Sequence, residues 1–223
     1  MPYYPIYLNI TNKRCVIVGG GEVGERKAER LLACGAKVAV VSRELSPSLK
    51  RMKNAGEIEH IDADYDAAYL DGALMVIGAT NNEQVNGNIS GDARARGILV
   101  NIVDDPKRCD FILPSLVQQG DLTIAVSTGG KSPALAKKIR EELELTYGPE
   151  YAVLLDIMGE LRGQAQAKGV PSGENKKMFE AVVNSDILCR IKAGIGEEVK
   201  KKIREITGLE VASIGKGARR GKG

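Results

Sequence analysis

Two hydrophobic periods alternate along the first hundred residues. Arg14-Cys-Val-Ile-Val18 is a short apolar run ending in glycines, the pattern of a strand buried on both faces of a parallel sheet. From Glu22 to Cys34 the apolar positions Val23, Ala28, Leu31 and Leu32 share one helical face, and Gly35 marks the stop. Lys37-Val-Ala-Val-Val41 is a second β-branched run, and Ser46-Pro47 opens a helix that reaches about Asn54. Ile58–Ile61, Ala73–Gly78 and Ile98–Val103 read as further strands, with a helix from Asn82 to Arg96 between the last two. Strand and helix alternating at this spacing predict a parallel sheet wound by right-handed crossovers.

After Asp104 the pattern changes. Phe111–Val117, a turn at Gln118–Asp121 and Leu122–Val126 predict a hairpin, with Gly120 supplying the turn. Such a hairpin either extends the sheet or pairs with a second subunit. A helix follows from Ser132-Pro133 to about Leu145, and Tyr147-Gly-Pro149 breaks it. From Glu150 to about Thr207 the chain reads as helical, interrupted at Gly169–Gly173. The expected segments are therefore 1–113, 114–149, 150–210 and a basic tail at 211–223.

Composition narrows the chemistry. The chain of 223 residues carries one histidine, His60, no Trp and four scattered cysteines without a CxxC pair. A His-rich zinc site and a thioredoxin motif are excluded, and little room is left for Ser-His-Asp catalysis. No resident metal is expected. His60 reads as a surface or strand-edge residue. The net charge of +3 belongs to the C-terminal end, where residues 196–223 hold eight Lys/Arg against four Glu. Without interleaved aromatics the tail does not read as a nucleic-acid arm. No apolar stretch approaches the roughly 18 residues of a membrane span, and no secretory signal is present, so the expected location is the cytoplasm.

Gly19-Gly-Gly21-Glu-Val-Gly24 fits G-x-G-x-x-G directly after the first strand and opening the first helix. In that context Gly19 permits the turn, Gly21 lets a pyrophosphate approach, and Gly24 lets helix and sheet pack closely. The helix start offers unpaired N–H groups to the phosphates. The expected fold is thus α/β: a Rossmann-type doubly wound parallel sheet, a small α+β region of hairpin plus helix, and a helical C-terminal domain. The acidic residue usual at the second strand's tip is missing. That strand ends Val41-Ser42-Arg43-Glu44, so Arg43 could contact a 2′-phosphate, and NAD and NADP both stay open. Thr80 and Asn81, after the fourth strand, supply neutral hydrogen-bonding groups near the nicotinamide end. Asp104 and Asp105 are the conspicuous carboxylates of the same crevice.

The chain resembles the precorrin-2 dehydrogenase / sirohydrochlorin ferrochelatase family, which includes the N-terminal half of siroheme synthase. The resemblance rests on Val16–Lys27 (Val-Ile-Val-Gly-Gly-Gly-Glu-Val-Gly-Glu-Arg-Lys), Ala79–Asn82, Asn101–Pro106, Asp110–Pro114 and Ile124–Pro133, in family order. It implies NAD-dependent oxidation of precorrin-2 to sirohydrochlorin, with Fe²⁺ insertion at the same site in some members. It also implies a homodimer built on the hairpin region and a helical domain covering the tetrapyrrole cleft. The family's essential Asp corresponds to Asp104, and its nucleotide contacts to Glu22, Val23, Arg43 and Glu44. A strand-end carboxylate, partly buried beside the cofactor, is suited to accept the proton that accompanies hydride loss. Thr128, Gly129, Gly130 and Lys131 are expected to bind substrate carboxylates, as a glycine nest before a helix start. The alternative class is an NAD(H)-sensing regulatory module. A short-chain carbonyl reductase would show a Tyr-x-x-x-Lys pair, which is not suitably placed here.

Overall fold

The computed structural model describes residues 3–212, which divide into two units between Leu113 and Pro114. The residues of the expected basic tail from 213 on lie outside the described residues.

In the first unit, β1 (Arg14–Val18), β2 (Lys37–Val41), β3 (Ile58–Ile61), β4 (Ala73–Gly78) and β5 (Leu99–Ile102) form one parallel sheet in the order β3-β2-β1-β4-β5. The helices α1 (Glu22–Ala33), α2 (Pro47–Asn54) and α3 (Glu83–Ala95) supply three of the four crossovers, and a single 3-10 turn at Ala67–Leu70 lies on the connection from β3 to β4. Side chains alternate along each strand, so β1 feeds two cores. Cys15 and Ile17 pack with Ala28 and Leu31 of α1 and Leu49 of α2, whereas Val16 and Val18 pack with Ile89 and Ala93 of α3. Helices thus cover both faces, and a near-continuous apolar strand sequence is the consequence. α1 ends as its sequence predicts: Gly35 and Ala36 return their N–H groups to Leu32 and Leu31. β2 to β5 are each entered from a left-handed glycine, at 35, 56, 72 and 97.

In the second unit, β6 (Ser115–Gln119) and β7 (Leu122–Val126) pair antiparallel as a separate two-stranded sheet and do not extend the parallel one. Two expected boundaries move. The first hairpin strand starts at Ser115, not Phe111, because the Phe111 carbonyl is taken by the Asn101 side chain (2.9 Å) and Pro114 has no N–H to pair. The turn tightens to Gly120-Asp121, with Gly120 at φ 58°, the arrangement of a two-residue hairpin loop. The helices are α4 (Pro133–Thr146), α5 (Glu150–Ala167), α6 (Ser172–Val183), α7 (Ile187–Lys192) and α8 (Gly196–Thr207). Beyond the expected break near residue 170, the chain also breaks at Ser185, whose hydroxyl accepts from the Ile187 N–H, and at left-handed Gly194. α5 to α8 bury Ile157, Leu161, Ile187, Val199 and Ile203 in a core of their own. Among the described residues no helix is long and apolar enough to cross a membrane.

Candidate functional site

The strand register decides which side chains share an edge. Val41 of β2, Val18 of β1, Gly78 of β4 and Ile102 of β5 stand in one row across the sheet. Two residues beyond that row come Arg43, Gly20, Thr80 and Asp104. With neighbouring strands about 4.8 Å apart, four loops of candidate residues leave the sheet within about 15 Å of one another. The row includes the point between β1 and β4 where the winding reverses, the place at which doubly wound sheets take ligands.

The glycine loop meets the requirements of a phosphate cradle. Gly19 has φ 121°, and a Cβ there would collide with the Ala79 carbonyl oxygen. A Cβ on Gly24 would collide with the Gly19 carbonyl, so the helix sits as close to the strand as the backbone permits. Gly21 is the opposite case: nothing lies within 4 Å of where its Cβ would be. It also caps α1 without a side-chain acceptor, whereas Ser46 and Asn82 cap α2 and α3 with theirs. The first-turn N–H groups of α1, on Glu22, Val23 and Gly24, are thereby left for an anion. These residues fit the pyrophosphate of a dinucleotide.

Gly20 is the functional glycine that sequence reasoning missed. A Cβ there would collide with the Glu44 carbonyl oxygen, and its own carbonyl accepts from the Ser46 N–H (2.8 Å). It thus locks the glycine loop to the turn after β2, which carries Arg43 and Glu44. Ser42 Oγ donates to the same Glu44 carbonyl (2.7 Å), and Ser46 Oγ donates to Glu25 (2.5 Å), holding that carboxyl below its usual range. His60 lies on β3, the edge strand, and its Nε2 is 2.8 Å from the Ser42 carbonyl. The sole histidine therefore braces the turn from behind. Arg43 points to the acidic loop after β3, 3.1 Å from Asp64 and 3.3 Å from the Asp62 carbonyl.

At the end of β4, the Thr80 hydroxyl is 3.0 Å from Asn86 Oδ1 and accepts from the Asn82 N–H, while Asn86 Nδ2 donates to the Thr80 carbonyl. Its hydrogen bonds are spent on the loop, so Thr80 shapes the site and Asn81, exposed beside it, is the freer group. Asn86, a buried residue of α3, is thus a strut of this loop.

Asp104 occupies position i+2 of a β-turn closed by the Asp105 N–H on the Ile102 carbonyl, with φ 61°. Only Asn12 shares such a backbone among the described non-glycine residues. The turn presents the side chain at its tip, exposed, where partial burial had been expected. Cys109 ties the turn's base: its sulfur accepts from the Ile102 N–H (3.2 Å) and lies 3.1 Å from the Asp105 carbonyl. Arg108 braces Asp105 at 3.0 Å. Lys27 of α1 is half-buried without an ion pair within 4.0 Å among the described residues. Burial first, then Arg30 and Arg26, hold its pKa below the ordinary lysine value, and Asp104 pulls it the other way.

The cysteines are sorted by the same contacts. Burial pushes the Cys15 thiol up to about 11 and raises Cys109, while Cys34 and Cys189 are exposed. Iodoacetamide at neutral pH is expected to label Cys34 and Cys189 rapidly and to spare the other two until the chain unfolds. Mass spectrometry reads this directly, and labelling of Cys109 as fast as Cys34 would contradict the turn described.

In the second unit, Gly129 and Gly130 are consecutive left-handed residues (φ 62° and 81°) ahead of α4. Thr128 Oγ1 is 3.0 Å from the Ser132 carbonyl and accepts from the Ser132 N–H, so its hydroxyl closes the loop instead of facing outward. Ser132 caps α4 through the Leu135 N–H. Lys131 is exposed and has no ion pair within 4.0 Å among the described residues, whereas Lys137 and Lys138 pair with Glu141 and Glu142 along α4.

A 3-2-1-4-5 parallel sheet with this glycine loop at its switch point defines a Rossmann-type dinucleotide-binding protein. Residues 6–115 match a family described as NAD(P)-binding, and residues 119–144 match the sirohaem biosynthesis protein central region. Siroheme synthase 1 of Aeromonas salmonicida is 39% identical over 188 residues, which cover 84% of this chain and 40% of that protein. Siroheme synthase of Chromobacterium violaceum is 36% identical over 207 residues, 91% of this chain and 44% of that protein. The chain matches the siroheme synthase family. It spans about two-fifths of the length of the curated relatives it matches. A solved structure titled SirC, precorrin-2 dehydrogenase, superposes with TM-score 0.76, covering 91% of this chain and 100% of that one; at 22% identity the likeness is one of fold.

Proposed function

We propose that this chain oxidises precorrin-2 to sirohydrochlorin with NAD as acceptor, in the cytoplasm, and that Asp104 takes the proton. The observation that carries the reading is the aligned row of strand ends, which sets the phosphate cradle and Asp104 on one edge of one rigid sheet. When bound, the nicotinamide supplies the hydride acceptor. The chain's own residues do the rest. Gly19, Gly21, Glu22, Val23 and Gly24 hold the phosphates, Arg43 and Glu44 border the adenosine ribose, and Thr80 and Asn81 line the far end. Asp104 receives the proton that leaves as the hydride departs. Gly129, Gly130 and Lys131 serve the substrate's carboxylates, with Thr128 as the strut of their loop.

Incubating the protein with precorrin-2 and NAD, while recording sirohydrochlorin absorbance and NADH together, tests this. Equimolar appearance of both is expected. Nucleotide binding without turnover would favour a sensing module instead.

The same reading makes the chain a homodimer through 114–149. Leu116, Leu135 and Leu145 are exposed there, Leu145 by 84%, on and beside a hairpin whose two strands both have an unpaired edge. Replacing Leu116 and Leu145 together by Asp is expected to convert a dimer to a monomer in analytical ultracentrifugation. A wild type that sediments as a monomer would sink this part.

A further inference from the structure

Arg43 is the natural candidate for a 2′-phosphate contact, yet its guanidinium is already engaged. Nη2 lies 3.1 Å from Asp64 Oδ2, and Nη1 lies 3.3 Å from the Asp62 carbonyl and 4.0 Å from its carboxylate. The two strand ends that bring these groups together are stitched at Val41–Ile61 and by the Ser42 N–H on the Ile61 carbonyl (3.1 Å). Hydrogen bonding to Asp64 raises Arg43, and Arg43 in turn holds the Asp64 carboxyl below its usual range. Two carboxylates thus stand beside one guanidinium at the tip of β2. A ribose hydroxyl tolerates such surroundings and a phosphate, with about two negative charges, does not.

We propose that Asp62 and Asp64, on the loop after β3, are the residues by which this site discriminates against a 2′-phosphorylated dinucleotide. They do so by occupying Arg43 and by placing negative charge where the phosphate would sit. The inference rests on the dinucleotide reading of the glycine loop. It replaces the missing acidic residue at the tip of β2 with two from the neighbouring strand's loop. All three side chains are exposed, Arg43 by 60%, Asp62 by 69% and Asp64 by 85%, so the discrimination is a matter of local charge and not of a buried pair.

Calorimetric titration of the full chain with NAD⁺ and with NADP⁺ tests this without reference to turnover. Wild type is expected to favour NAD⁺. In the double variant Asp62→Asn/Asp64→Asn the ratio of NADP⁺ to NAD⁺ affinity is expected to rise about tenfold at low salt, and less at 0.5 M salt, where exposed charges are screened. Adding Arg43→Ala to that variant should remove the gain, because the released guanidinium is what captures the phosphate. Asp64→Asn alone should give part of it. A ratio unchanged in the double variant, including one in which both affinities fall together, overturns the proposal, as does a gain that persists without Arg43. A wild type that binds neither nucleotide overturns the dinucleotide site and the proposal with it, and is recognisable as such.

Discussion

Replacing Asp104 by Asn is expected to lower kcat for precorrin-2 oxidation by about 10²- to 10³-fold, the usual worth of a positioned general base. Asn keeps the shape of the side chain and accepts a left-handed backbone, so the turn from Ile102 to Asp105 should survive with φ near its present 61°. NAD affinity should stay within about twofold, because Asp104 leaves the sheet from β5 and the phosphate cradle from β1. A second variant separates chemistry from architecture. Asp104→Gly removes the cost of holding a Cβ residue at positive φ and is expected to raise stability by about 1 kcal/mol while losing activity equally. Denaturant melts and single-turnover kinetics on the same preparations decide the matter. Full turnover in either variant would remove Asp104 from the reaction.

The glycine loop gives the second large effect, as a contrast between neighbours. Gly20→Ala forces a methyl group onto the Glu44 carbonyl oxygen, and backbone there cannot swing aside as a side chain would. A loss of about 3 kcal/mol of stability is expected, visible in the melt without any nucleotide. Gly21→Ala meets nothing within 4 Å, so its melt should match wild type to about 0.5 kcal/mol. Its methyl group instead enters the space reserved for phosphate, and NAD affinity should fall by about tenfold or more. Equal effects of the two substitutions on stability and on affinity would mean that the loop does not bind as described.

The elements of the first unit were legible because each strand or helix announces itself within a dozen residues. Ile17 and Val16 face opposite cores whatever lies far away in sequence, and Ser46-Pro47 opens a helix by purely local chemistry. The three fingerprint glycines were legible for the same reason. Gly20 was not, since its constraint is a carbonyl twenty-four residues on. Nor was the engagement of Arg43, whose partners arrive from β3, or that of Thr128, whose hydroxyl turns back on Ser132. Asp104 was found as a carboxylate at a strand end, but its left-handed backbone follows from how tightly the chain reverses after β5. A residue type does not record that. In the second unit the missed breaks at Ser185 and Gly194 fall in a sequence that is helical by propensity on both sides.

The left-handed glycines that precede β2 to β5 have a counterpart at the other end of the strands. At the entering edge, the reversals into β2 to β5 are each made by a residue with no side chain to strain, and the one into β1 by Asn12. At the leaving edge, the reversal after β5 is made by an aspartate, and Gly19 is drawn tight against Ala79. The sheet is therefore polarised in tolerance as well as in chemistry. Changes along the entering edge are expected to register as folding alone, because none of the proposed site residues lies there. Along the leaving edge, changes reach the residues of the proposed site.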